Sequence, residues 1–316
     1  MKETFIEKRF NAEAMDMLRR INEILVTYEA QGFDLSLRQL FYQLVSRNLV
    51  PNTERSYKNI GNLVSDARLA GLIDWDMIKD RGREMQANPH WGDPADFLRS
   101  VAPQYRFDLW ENQPNYVEVM VEKQALEGVL VPVCRALDVP FTANKGYSSS
   151  STMYEASRRF IEAARAGKEL FVIYLGDHDP SGIDMTRDVL DRLDLFIKTS
   201  MNRTDEIGEN ELSALDVRRI ALNMNQIEEL RPPENPAKIT DSRADAYIRR
   251  FGTSSWELDA IEPRQLAQLV QNAVRDLMDV PLFDAAVRKM ERGRAVLKRF
   301  ADSYTEEEDG GDDANA

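Results

Sequence analysis

The chain has 316 residues, 43% hydrophobic and 30% charged, enough for one large domain or two of ordinary size. A single cysteine, Cys134, leaves no intramolecular disulfide or cysteine-cluster metal site, and two histidines, His90 and His178, argue against a His-rich zinc site or a Ser-His-Asp triad. The net charge of −13 argues against strong nucleic-acid binding, yet nearly half of that excess sits in residues 306–316, EEEDGGDDANA, which read as a disordered acidic tail.

The opening MKETFIEKRF has no apolar signal core, and no later run approaches the length of a membrane span. The expectation is a soluble, cytoplasmic protein without membrane contact. Ala12 to Ala30 is predicted as an amphipathic helix with Met15, Leu18, Ile21, Ile24, Leu25 and Tyr28 on its apolar side. Ser36 is the expected N-cap of a second helix, Leu37 to Asn48, with Leu37, Leu40, Phe41, Leu44 and Val45 at core spacing. Arg38 and Tyr42 are four apart and flank that stripe, so they are neighbours. A tyrosine there can present its hydroxyl outward while Arg38 steadies an anion beside it. On pattern alone an ordinary half-buried aromatic is the commoner reading.

A third helix, about Glu54 to Leu69, buries Ile60, Leu63, Val64 and Ala67 and collects Arg55, Lys58, Asn62 and Ser65 on its opposite face. Gly71 to Ile78 reads as a short extended hairpin with Lys79, Arg81 and Arg83 near its end. Three helices and a basic wing suggest a winged helix-turn-helix over residues 1–110, with Arg55, Lys58, Asn62, Lys79, Arg81 and Arg83 as candidate contacts to double-stranded DNA. A solvated polar face on a helical subdomain fits that pattern equally well. Near charge balance in this part allows modest, salt-sensitive DNA binding.

Beyond it, Tyr116 to Val121 is strand-like, ends in Glu122, and leads into a helical pattern through Leu126, Val129, Leu130 and Val133, which places Cys134 in a core. Pro140 to Gly146 reads as another strand. Ser148 to Thr152 cap a helix to Arg165; phosphate binding at that helix start is the less common alternative. Leu170 to Leu175 is a buried strand that breaks into Gly176-Asp177-His178-Asp179-Pro180-Ser181-Gly182, followed by a helix. Val217 to Asn223 is a fourth strand, and 231–243 a Pro-rich loop with Lys238 and Arg243 as possible DNA contacts. Residues 256–260, WELDA, precede a helix from Pro263, with Glu257 read as a surface cap rather than a metal ligand. Pro281 to Tyr304 is a long charged helix suited to dimer contact.

Asp179 before Pro180 is a good helix start, which accounts for Asp179 but not Asp177. Two carboxylates about 4 Å apart repel by roughly 4 kcal/mol at an effective dielectric near 20, a penalty that a hard cation such as Mg²⁺ removes. If the strands ending at Glu122 and Leu175 are parallel neighbours, Glu122 joins that pair at one sheet edge.

An apolar strand ending in Glu, then a strand ending in GDxDPxG, resembles a Toprim domain, a Rossmann-like parallel sheet with flanking helices. The resemblance implies an α/β fold: an N-terminal winged helix followed by Toprim over 111–305, then the tail 306–316. A winged helix bearing R-x-x-F-Y ahead of Toprim is similar to the A subunit of type IIB topoisomerases (topoisomerase VI), most closely in size to the compact stand-alone form called Mini-A, over roughly residues 10–300. That family implies Tyr42 as nucleophile, Arg38 beside it, Glu122, Asp177 and Asp179 as Mg²⁺ ligands, and DNA cleavage through a 5′-phosphotyrosyl bond. It also implies a homodimer, because tyrosine and metal site come from different protomers there, and a separate ATPase partner for strand passage. A hydrolytic Toprim nuclease of a mobile element or defence system, with Tyr42 structural, is one alternative; a non-catalytic winged-helix DNA binder is another.

Overall fold

The computed structural model describes residues 2–33, 35–78, 88–144, 146–203 and 215–309. In chain order the elements are α1 (Ala12–Glu29), α2 (Leu37–Ser46), α3 (Glu54–Leu69), α4 (Pro94–Val101), β1 (Asn115–Val121), α5 (Glu127–Leu137), β2 (Phe141–Ala143), α6 (Ser150–Arg165), β3 (Glu169–Leu175) and α7 (Pro180–Arg203). There follow β4 (Asp216–Ala221), α8 (Met224–Leu230), β5 (Glu234–Pro236), α9 (Ala244–Phe251), β6 (Ser254–Trp256), α10 (Pro263–Arg275) and α11 (Val280–Asp309). They form two compact units, Met1–Gly82 with Tyr116–Asp276, and Arg83–Asn115 with Leu277–Ala316.

The larger unit is α/β. Its main sheet has four parallel strands in the order β2-β1-β3-β4. The central strands β1 and β3 are largely apolar because helices cover both faces, whereas the edge strand β4 carries Asp216, Arg218 and Arg219. Met120, Val172 and Tyr174 pack with α6 and α7 through Met153, Phe160, Met185, Val189 and Leu193. The helices α5 and α10 pack on each other, and α10 also meets β3 and β4. Cys134 on α5 is buried, and burial pushes its thiol up to about 12. A second, antiparallel pair joins β5 to β6.

The helices α1, α2 and α3 pack around Leu18, Ile21, Leu25, Leu40, Phe41, Leu44, Ile60 and Val64. Ser36 caps α2 in a capping box: its Oγ accepts from Gln39 N at 3.2 Å while Ser36 N donates to Gln39 Oε1 at 2.9 Å. Met15, expected on the apolar side of α1, is exposed. The hairpin expected over Gly71–Ile78 does not form. This stretch is a string of turns with isolated bridges from Thr4 to Ala70 and from Leu35 to Ile78. Arg68 explains why, since its guanidinium takes the carbonyls of Trp75, at 2.9 Å, and Ile78, at 2.5 Å, that a ladder would need.

In the smaller unit, Asp93 caps α4, and Gln113 exchanges hydrogen bonds with the backbone of Asp279 at 2.8 and 2.7 Å. The helix α11 continues through Asp309, so residues 306–309 of the acidic segment extend it; 310–316 lie outside the described residues. Among the described residues no helix is long and apolar enough to cross a membrane.

Candidate metal and tyrosine site

Because β1 and β3 are parallel neighbours, their carboxyl ends emerge together. Glu122 N donates to Leu175 O at 2.9 Å, and Glu122 Oε2 accepts from Asp177 N at 2.8 Å. Glu122, Asp177 and Asp179 are all buried at this edge. Burial, followed by the neighbouring Asp177 charge, raises the Glu122 carboxyl. Burial also raises Asp177, although the Lys123 ammonium pulls the other way. Asp179 is the N-cap of α7: its Oδ1 accepts from Ser181 Oγ at 2.8 Å and Gly182 N at 2.6 Å.

The turn can close this tightly only because two of its residues lack a side chain. A Cβ on Gly182 would strike the Asp177 carbonyl oxygen, and one on Gly176 would lie 2.9 Å from Glu122 Oε2. Arg219 on β4 holds the turn from below. Its guanidinium donates to the carbonyls of Gly182 at 2.9 Å, Gly176 at 2.8 Å and Asp177 at 2.6 Å.

Four further residues complete the site, and sequence reasoning placed only one of them correctly. Arg38 is where the helical spacing put it, with Nη2 3.5 Å from Tyr42 Oη. Glu257, expected to be a surface cap, instead pairs with Arg38 and, at 2.9 Å, with Lys123 Nζ. The reason is β6: pairing with β5 and bridging to His178 brings residues 257–259 onto the Asp177 edge, where Leu258 N donates to Asp177 Oδ1 at 2.8 Å. Lys123 and Asp259 were not foreseen. Lys123 Nζ lies 2.8 Å from Asp177 Oδ2, and Asp259 Oδ2 lies 3.1 Å from Arg38 Nε. Their signals were faint: a lysine directly after the strand-ending glutamate, and acids embedded in the apolar run WELDAI.

Burial opposes ionisation of Glu257, but Lys123 and Arg38 outweigh it and hold its carboxyl at about 2. Tyr42 is 5% exposed, deeper than the flanking position predicted, and burial together with the Glu257 charge pushes its phenol well above the usual value. Arg38, Tyr42, Asn52, Thr53, Tyr57, Asn235 and Glu257 line a cavity of about 290 Å³. Tyrosine and carboxylates thus meet within one chain, unlike the two-protomer arrangement that the resemblance implies.

The donors at this edge are carboxylate oxygens, the type that a hard divalent cation takes. Five carboxylates (Glu122, Asp177, Asp179, Glu257, Asp259) against three cations (Lys123, Arg38, Arg219) leave two negative charges unbalanced when all are ionised. Both oxygens of Asp259 are buried without a hydrogen-bond donor. Carboxylate oxygens are what Mg²⁺ takes.

Elsewhere, Arg55, Lys58 and Asn62 lie exposed on α3, with Lys58 paired to Glu54 at 2.7 Å. Lys79, Arg81 and Arg83 lie outside the described residues. Ser149 caps α6 through Thr152 N at 3.1 Å, as simple capping predicts. Lys238 is exposed, whereas Arg243 is engaged by Asp241 at 2.7 Å and Asp184 at 3.2 Å. No family model matches the chain, and no curated protein matches it either.

Proposed function

We propose that this protein is a Mg²⁺-dependent DNA transesterase, in which the N-terminal helices α1–α3 present Tyr42 to a Toprim-like carboxylate site. One observation carries the reading: the Tyr42 hydroxyl, Arg38, Glu257, Lys123 and Asp177 form one continuous polar chain beside a cavity. Tyr42 Oη gives its proton to water and attacks a backbone phosphorus, forming a 5′-phosphotyrosyl ester as the bond from phosphorus to the 3′-oxygen breaks, and the displaced 3′-oxygen takes a proton from water. The ester keeps the energy of the phosphodiester, so the reverse attack by the 3′-OH reseals the strand without ATP.

A free phenol is about one part in a thousand ionised at pH 7, a cost of roughly 4 kcal/mol, and the burial of Tyr42 adds to it. Arg38 offsets part of that cost by facing the developing phenolate. Glu257, held at about 2, is too weak a base to take the proton and instead orients the hydroxyl. A Mg²⁺ ion held by Glu122, Asp177 and Asp179 would stabilise charge on the transferred phosphate and the leaving oxygen. The exposed Arg55, Lys58 and Asn62 on α3, with Lys79, Arg81 and Arg83, contact double-stranded DNA in this reading. In this reading a homodimer brings two complete one-chain sites to the two strands, and a separate ATPase partner is needed only for strand passage.

A second reading, hydrolytic cleavage with Tyr42 structural, is favoured by the near-complete burial of Tyr42. Both need the carboxylates. Supercoiled plasmid incubated with Mg²⁺ or Mn²⁺ tests that shared step: wild type cuts and Asp177→Ala does not. Equal cutting by Asp177→Ala overturns the carboxylate site that both readings need, and no cutting by wild type leaves a DNA-binding protein without catalysis.

A further inference from the structure

The cation demand of this site extends beyond the Glu122, Asp177 and Asp179 set. Lys123 follows Glu122 in extended conformation, with φ −121° and ψ 123°, so consecutive side chains leave the strand end on opposite sides. Glu122 turns to the Asp177 amide. Lys123 turns to the carboxylates, where its ammonium stands 2.8 Å from Asp177 Oδ2, 2.9 Å from Glu257 Oε2 and 3.6 Å from Asp259 Oδ2. Three carboxylates facing one half-buried point charge resemble the donors around a metal ion.

An ion pair formed merely to neutralise Asp177 would not need the other two. Asp259 makes the difference. Its side chain is fully buried, both its oxygens lack a hydrogen-bond donor, and Oδ2 faces Lys123 and Arg38. Burying a carboxylate without hydrogen bonds is costly, and its two ion-pair partners, Arg38 Nε at 3.1 Å and Lys123 Nζ at 3.6 Å, are both shared with Glu257, and Lys123 with Asp177 as well. Asp177, Glu257 and Asp259 bring three negative charges against the two positive charges of Lys123 and Arg38.

We propose that Lys123 is a tethered cation: its ammonium fills, among Asp177, Glu257 and Asp259, the position a second divalent ion would otherwise take, so the wild-type site takes one ion only. The proposal rests on the carboxylate edge being a metal site. Its consequence is that replacing Lys123 by a neutral chain of similar length converts a one-ion site into a two-ion site, with Asp177 shared between the two positions.

The test counts Mn²⁺ bound to the full-length protein without DNA, by electron paramagnetic resonance and calorimetry. Wild type should bind one ion per chain, Lys123→Met two, and Lys123→Met with Asp259→Asn one again. Thermal unfolding gives a second readout, with Mn²⁺ raising the midpoint of Lys123→Met more than that of wild type. Two ions on wild type, or one of unchanged affinity on Lys123→Met, overturns the tethered cation while leaving the Glu122, Asp177 and Asp179 site intact. If wild type binds none and Lys123→Met binds one that Asp259→Asn removes, the tethered cation stands and the neighbouring site falls. No binding by either protein overturns both. A Lys123→Met protein that fails to fold even with Mn²⁺ also overturns the proposal, because the divalent ion should replace the lost charge.

Discussion

Arg38 Nε on α2 stands 3.1 Å from Asp259 Oδ2, joining the tyrosine-bearing helix to the carboxylate edge across more than two hundred residues of sequence. The same guanidinium pairs with Glu257 and reaches the Tyr42 hydroxyl. It therefore links packing to chemistry. Removing it strands a fully buried Asp259, but the Arg38 side chain is 47% exposed, so water screens part of the loss. Arg38→Gln should cost roughly 1–2 kcal/mol in urea unfolding. The double variant Arg38→Gln/Asp259→Asn should recover part of that, whereas additive losses would show that the two do not interact.

The turn after β3 should be intolerant of the smallest side chain. A methyl group at Gly182 meets the Asp177 carbonyl and approaches Glu122 Oε2 at 3.0 Å. Gly182→Ala should cost about 2–3 kcal/mol and displace Asp177, lowering metal affinity as well as stability. An alanine variant that unfolds like wild type would mean that the turn gives way at the Asp177 carbonyl.

His178, between the two aspartates, is a structural anchor. Its Nδ1 lies 2.7 Å from the Tyr247 hydroxyl, and its ring packs against Phe251 and Trp256. Burial, aided by the Arg219 charge, lowers its pKa to about 4. A depressed histidine favours the neutral folded state, so its contribution is complete above the unfolded value near 6.5 and is lost as pH falls toward 4. The loss should reach about 3 kcal/mol at 1.36 kcal/mol per unit. His178→Gln should flatten the stability profile between pH 6.5 and 4, and an unchanged slope there would contradict the assignment.

The sequence made the local features readable. Strand ends at Glu122 and Leu175 follow from apolar runs broken by glycine and acid, and the Ser36 and Asp179 caps follow from residue type and spacing. That Glu122 and Asp177 touch required only that their strands be parallel neighbours. The role of Glu257 was hidden because it depends on β5 and β6, each three residues long, and on contacts 219 positions apart. Short strands carry almost no periodicity to read. Lys123 and Arg219 were missed for a related reason: each is a charge within or beside an apolar run, and only tertiary contacts give it partners. The hairpin over 71–78 failed because Arg68, one turn back, claims its carbonyls.

The most direct test of the account is whether cleaved DNA carries the protein. Plasmid cut with Mn²⁺ would be run with and without protease digestion, using wild type and Tyr42→Phe. Wild-type ends should be blocked at the 5′ side by covalently bound protein, and Tyr42→Phe should neither cut nor form the adduct. Cutting by Tyr42→Phe with free 5′ ends would contradict it and return Tyr42 to the core of the α1–α3 helices.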